Sequence, residues 1–403
     1  MLRRYWPIVL LLLLSYMLRP VAAASTLTVT ITSDTFDGLC DARHCSLRDA
    51  IWVANAIGAE GTAATIVLPG GTFTLTRIGS GGSDNTARFD DLDVTAPINL
   101  IGAGADQTII DANGVGRAID IVVAPGTPVR LRGLTIRGGN TAENGGGIAN
   151  DGASLTLQDV TLRSNVAGGN GGGIFNQHGL ATIMASRIAG NYAGADGGNI
   201  ANSAEMTILS SEISVGHAQR GAGIANSGAL AIAVSTLSGN VAELAGGGIA
   251  NLAGAGVLSM RETTLAANSA PDGGAFWNGG SAAIANSIFA AGTGGTCSNA
   301  GAIQSGGSNL DQANTCRFNV AGDQHDVDPQ LAALAWNGGT TRTHALASSS
   351  PAVDQGSNDT CSTSDQRGFP RPRDGNLDEI ASCDIGAYEL SQIVIHFPLI
   401  VRP

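Results

Sequence analysis

The chain has 403 residues, including 57 Gly but only 4 Trp, 4 Tyr and 9 Phe, and 43% of it is hydrophobic. That is apolar enough to bury a core and excludes a disordered acidic tail. All 21 basic residues are Arg; against 33 acids they leave a formal net charge of −12, a field that repels phosphate backbones and excludes a nucleic-acid binder.

In chain order, the first signal is a leader. Arg3 and Arg4 precede the apolar run Ile8 to Leu14, and Val21-Ala22-Ala23-Ala24 offers a small-residue cleavage site, so residues 1–24 read as a secretory signal peptide. Arg19 and Pro20 cut the apolar run well short of the roughly 20 residues a spanning helix needs, and no transmembrane span is expected in the mature chain. Six cysteines suit an oxidising compartment, and Cys40 with Cys45, Cys297 with Cys316 and Cys361 with Cys383 fall as sequence neighbours outside the middle of the chain. Neighbour pairing is favoured over zinc ligation, because Cys40 and Cys45 have no second ligand pair nearby.

Residues 25–63 form an N-terminal cap. Within it, Cys45-Ser46-Leu47-Arg48-Asp49-Ala50-Ile51 opens a short helix that Ser46 caps, with Asp49 returning a bond to the backbone and Leu47, Ile51 and Ala54 on one face. Gly58 stops it.

From 64 to 296 the pattern is repetitive. Coils fit Ala64 to Leu75, Leu92 to Asp111 and Arg117 to Arg137, and then a motif recurs: Gly145-Gly146-Gly147-Ile148-Ala149-Asn150, with equivalents ending at Asn176, Asn202, Asn226, Asn251 and Asn278. Steps of 24 to 27 residues are a solenoid signature. Each unit has room for about three short strands and no helix of ten residues, which describes one coil of an all-β, right-handed parallel β-helix. A leucine-rich repeat is the other solenoid considered, but its Leu-x-x-Leu-x-Leu consensus does not recur. The six motif asparagines read as a hydrogen-bonded ladder stacked from coil to coil. A second pattern sets Asn three residues after Leu or Ile, at Asn165, Asn191, Asn240 and Asn268, with Gly216 as the exception.

After Cys297 the rhythm dissolves; residues 297–390 read as a disulfide-containing, loop-rich C-terminal cap that closes the stack. The tail 391–403 holds His396 and Pro398 and reads as a closing strand or a sorting signal.

The segment Cys45 to Ile51 resembles the CSLREA motif at the start of many secreted bacterial β-helix proteins. The stretches Ser350 to Gly356, Asp365-Gln366-Arg367-Gly368, Arg371-Pro372 and Cys383 to Glu389 are similar to the choice-of-anchor C-terminal domain found with them. The repeats also resemble those of polymorphic outer-membrane adhesins, with Leu or Ile here in place of Phe. The resemblance implies an exported, surface-associated protein of extracellular or cell-surface location.

The chemistry is sparser. Taking Ile148 and its equivalents as inward, alternation places Gly147, Gly173 and Asn199 together with Ala149, Phe175, Ala201 and Trp277 on a bare outer face without carboxylates. Phe175 and Trp277 are the candidates there for contact with a sugar ring or a partner surface. Arg163, Arg187 and Arg261, with Asp159, Glu212 and Glu262 beside them, read as a solvated face, and His178-Gly179 is too little for a catalytic pattern. Two acidic clusters, Asp84/Asp90/Asp91/Asp93 and Asp374/Asn376/Asp378 with Asp384, have the oxygen-rich character that Ca2+ prefers, and the second is the candidate calcium site stiffening the cap. The expected function is therefore a non-catalytic adhesion or carbohydrate-binding module that meets an extracellular glycan or an envelope or surface protein. The alternative is a polysaccharide lyase or glycoside hydrolase acting on extracellular polysaccharide.

Overall fold

A computed structural model of the chain describes residues 25–59, 61–79, 86–290 and 292–391. The expected leader, Asp84 and the tail after Ser391 lie outside the described residues. The fold is a right-handed parallel β-helix of about 26 residues per coil. In a representative coil, Ile174–Asn176 belongs to one sheet, Leu180–Met184 and Arg187–Ala189 to a second that bends between them, and Tyr192–Ala193 to a third. Among the described residues the coil-to-coil strand pairings are parallel and hold register, as in Ile148 opposite Ile174 and Ile174 opposite Ile200, except for a bulge where His217–Arg220 meets Val241–Ala245.

The interior follows from that register. Ile148, Ile174, Ile200, Ile224, Ile249 and Phe276 form one unbroken column, each fully buried. The first glycine of each motif makes the turn into this strand: Gly145, Gly171, Gly197, Gly221, Gly246 and Gly273 have φ between +58° and +74°, the left-handed region that a β-carbon disfavours. Serine hydroxyls line the bend of the long sheet. Ser186, Ser211 and Ser235 each donate to the carbonyl two residues back and accept an amide from the preceding coil.

The motif asparagines are a ladder. Asn150 Nδ2 donates to Asn176 Oδ1 at 2.8 Å, and the series continues through Asn202, Asn226, Asn251 and Asn278 to Asn299, one member beyond the six expected. A buried amide would cost about 1–3 kcal/mol if left unpaired; stacking satisfies each one through its neighbour. The second ladder runs Asn165, Asn191, Asn199, Asn240, Asn268. Its middle rung corrects the expected outer-face position of Asn199, which is fully buried. Asn199 stands where other coils carry Gly173, Gly223 or Gly248, and its amide enters the space that a side chain at Gly216 would fill: a β-carbon there would lie 2.5 Å from Asn199 Nδ2. Alternation fails in this stretch because the glycine turn breaks the extended backbone, so the third motif position also faces inward.

At the N-terminal end, helix α1 (Leu47–Gly58) lies against the first coil through Leu47, Ala50, Ile51 and Ala54, all buried. Ser46 accepts from the Asp49 amide at 3.1 Å, while the Asp49 carboxylate accepts from the Ser46 hydroxyl and from the Asp37 and Gly38 amides. Arg48 is buried and ties the helix to Asp34 at 2.5 Å and to the carbonyls of Ala87, Asp90 and Asp91. Gly58 is the last helical residue and not a left-handed stop beyond it; Ala59 caps the helix, and Gly58 serves close packing, since a β-carbon there would lie 2.5 Å from Ala96 Cβ. Disulfides join Cys40–Cys45, Cys297–Cys316 and Cys361–Cys383.

The C-terminal region differs from an end cap. Cys297–Asn299, Ala302–Ser305, Leu310–Asp311 and Gln324–His325 continue the coils, and Phe318 closes the end by packing on Phe289 at 5.3 Å between ring centres. The chain after His325 turns back and lies along the flank of the helix from Ser210 to Asn286. Buried polar contacts fix it there: Arg342 on Glu212, Gln366 on Thr236, His344 on Ser238, Arg371 on Glu262, and the Gly386 amide on the Asn286 carbonyl.

Candidate functional site

The expected outer-face pair is not brought together. Phe175 is only 9% exposed, because Ala149 and Ala201 flank it in the adjacent coils and the turn at Gly171 folds against its own Cα. Trp277 is half-buried with its ring turned back over Gly279, four coils away. Exposure of the two as one flat platform is corrected on that ground.

The calcium quartet is also divided. Asp374 accepts the amides of Leu377, Asp378 and Glu379, and Asn376 and Asp378 bond each other, forming an acidic turn satisfied by its own backbone. Asp384 is buried elsewhere and accepts the Asp354 and Leu390 amides. Burial, then the charge of Glu389, pushes it up to about 7. Among the described residues, acidic ligand atoms converge instead at Asp37/His44/Asp49 and at Asp91/Asp93/Asp120. In the latter, Arg117 already sits 2.9 Å from Asp120 and 3.6 Å from Asp91. His178 is exposed and pairs with Asp151 at 2.7 Å.

The residues read as a solvated face form something else. Glu212 and Glu262 are fully buried anchors of the returning C-terminal segment. Glu212 holds Arg342 at 2.5 Å and Arg187 at 3.2 Å; burial works to raise its pKa, but hydrogen bonds from Arg342 and Ser214 outweigh this and lower it. Glu262 accepts from Arg371 at 3.1 Å, the Ser362 amide at 2.7 Å and Arg261 at 2.7 Å. The acids are inside because the segment that covers them supplies the matching cations.

Where that cover stops, the same flank opens into a cleft of about 560 Å3. Its floor is Ile109, Thr135, Val160, Thr161, Arg163 and Arg187 from successive coils, and Asp106 and Asp159 stand at one side. Trp336 and Thr340 from the returning segment also line it. Trp336 is 62% exposed and opens the loop closed by the antiparallel Ala335–Thr343 bridge. The in-register coils set the spacing of the floor at about 4.8 Å per level. Asp159 is pushed up from the ordinary Asp value by burial, with Arg132 pulling down and Asp106 pushing further up.

Sequence reasoning reached Asp159, Arg163 and Arg187 but not their convergence, and it missed Trp336 and Asp106. Trp336 carries no periodic signal; only its position in the cysteine-bounded C-terminal region, among few aromatics, sets it apart. No protein-family model matches the chain, and no curated protein matches it in sequence.

Proposed function

We propose that this is an exported, surface-associated β-helix protein, akin to those that open on a CSLREA motif, and that it binds an extended glycan in the flank cleft without cleaving it. The observation that carries the reading is the exposed Trp336 beside a floor of stacked, regularly spaced strands. An indole face in an open groove accepts the apolar face of a sugar ring, and coil periodicity suits a repeating ligand. Three disulfides fit an oxidising compartment, and among the described residues no helix is long and apolar enough to cross a membrane.

Affinity electrophoresis of the purified protein in gels containing extracellular polysaccharides tests this. Retardation is expected for the wild type, loss of it for Trp336→Ala, and retention for the Phe175→Ala/Trp277→Ala double variant. Retardation unchanged by Trp336→Ala overturns the placement of the site. A hydrolase reading draws on one feature: Asp106 and Asp159 share the cleft, and Asp159 is shifted toward the protonated form an acid catalyst needs. Release of reducing ends that is abolished by Asp159→Asn would establish it over binding alone.

A further inference from the structure

In a chain of net charge −12, one end of the cleft carries positive charge that its surroundings do not neutralise. Arg137 and Arg163 are register partners in adjacent coils, and Arg187 is opposite Thr161, two residues before Arg163. Arg137 has Asp111 at 2.8 Å. Arg187 reaches Glu212 at 3.2 Å, a carboxylate already engaged by Arg342. Arg163 lies half-buried between them, and among the described residues no carboxylate is within ion-pair distance of it. Burial, then the charges of Arg137 and Arg187, depress its pKa against a smaller opposing pull from Asp111, the response of a cation without a paired counter-charge.

The opposite end is acidic. Asp106 and Asp159 sit there with Arg132 nearby, and Asp159 precedes Arg163 by four residues, roughly 13 Å along an extended strand. The cleft is therefore bipolar, with an indole at its wall. A free phosphate would gain from the arginines, lose to the two aspartates and leave Trp336 unused. A sugar acid satisfies all three: its anion meets guanidinium, its hydroxyls donate to carboxylates and its ring face covers the indole.

We infer that the ligand is an acidic polysaccharide whose anionic group, a uronate carboxylate or a sulfate ester, sits on Arg163 while its hydroxyls donate to Asp106 and Asp159. The inference rests on the glycan-binding reading above. Arg163 is the specificity-determining residue, and Trp336 supplies affinity without regard to charge.

The test is affinity electrophoresis with four probes: polygalacturonate, its fully methyl-esterified form, dextran sulfate and dextran, each at low and at high salt. The wild type should bind at least one acidic polymer about tenfold more tightly than its neutral counterpart, roughly the worth of one charge-assisted pair. The preference should shrink as salt rises. Arg163→Gln should abolish the preference between acidic and neutral polymers and not lower the melting temperature, since no internal partner is lost. Polygalacturonate alone bound identifies the carboxylate; dextran sulfate alone bound identifies the sulfate. Equal binding of acidic and neutral polymers, or a preference untouched by Arg163→Gln, overturns this inference and leaves the cleft a neutral-glycan site. Failure of the wild type to bind any of the four overturns the glycan reading as well.

Discussion

Asn199 is an irregularity at one position that answers another. A ladder of buried amides tolerates no empty rung, because the neighbours above and below each keep an unpaired group. In the coil where Gly216 leaves the usual side vacant, Asn199 delivers the amide from the opposite side. Asn199→Gly should therefore destabilise the protein by roughly 2–6 kcal/mol, two unsatisfied amides' worth. Gly216→Asn alone should also destabilise it, since its β-carbon meets Asn199 Nδ2 at 2.5 Å and the Ala222 carbonyl at 2.1 Å. The double variant restores the common pattern and should recover at least half of the loss. Thermal melts of the three variants measure this coupling, and additive losses would refute it. Both departures, Gly216 and Asn199, are visible in the sequence; their complementarity is not, because it needs the register that brings positions 17 residues apart to one point.

Among the elements, the returning C-terminal segment depends most on single contacts. Arg371 is fully buried between Glu262 at 3.1 Å and Glu389 at 2.7 Å. Glu262→Ala leaves that cation short of a partner, a local cost of about 3–5 kcal/mol. Limited proteolysis should then cut between residues 326 and 391 while the β-sheet circular dichroism of the coils persists; a fragment pattern like the wild type's would count against an independent flank element. The same segment carries a pH dependence. Asp384, pushed up to about 7, binds a proton more tightly folded than unfolded, so its contribution is complete below the ordinary Asp value and is lost as pH rises through about 7. Glu389, also raised by burial, acts in the same direction. Glu212 is lowered and acts oppositely, its contribution disappearing only as pH falls below the ordinary Glu range. Hydrogen exchange across residues 352–390, corrected for intrinsic rates, should show stronger protection near about pH 5 than near about pH 8.

For the whole molecule, the sequence was most informative where structure repeats. Ile148 and its successors recur because each must sit on the one before, so a local pattern reports a contact between coils. The helix at Leu47 was legible for the same reason of local chemistry: Ser46 and Asp49 stand three apart. The cleft was not, since Thr161 and Trp336 share neither period nor neighbourhood, and the acids Glu212 and Glu262 look solvent-facing until the segment that buries them is in place. An end cap was the economical expectation for residues 297–390; the flank position follows from Glu212, Thr236, Thr264 and Asn286, polar groups on consecutive levels that together offer a docking strip.

That Trp336 reaches the cleft from the returning segment also sets an order of events during synthesis. Coils can stack as they emerge, each on its predecessor, but the groove has no aromatic wall until the last quarter of the polypeptide has arrived and folded back. Under the proposed glycan-binding function, capture would report a finished molecule: a chain clipped after the final coil would keep its stacked coils and lose the aromatic wall.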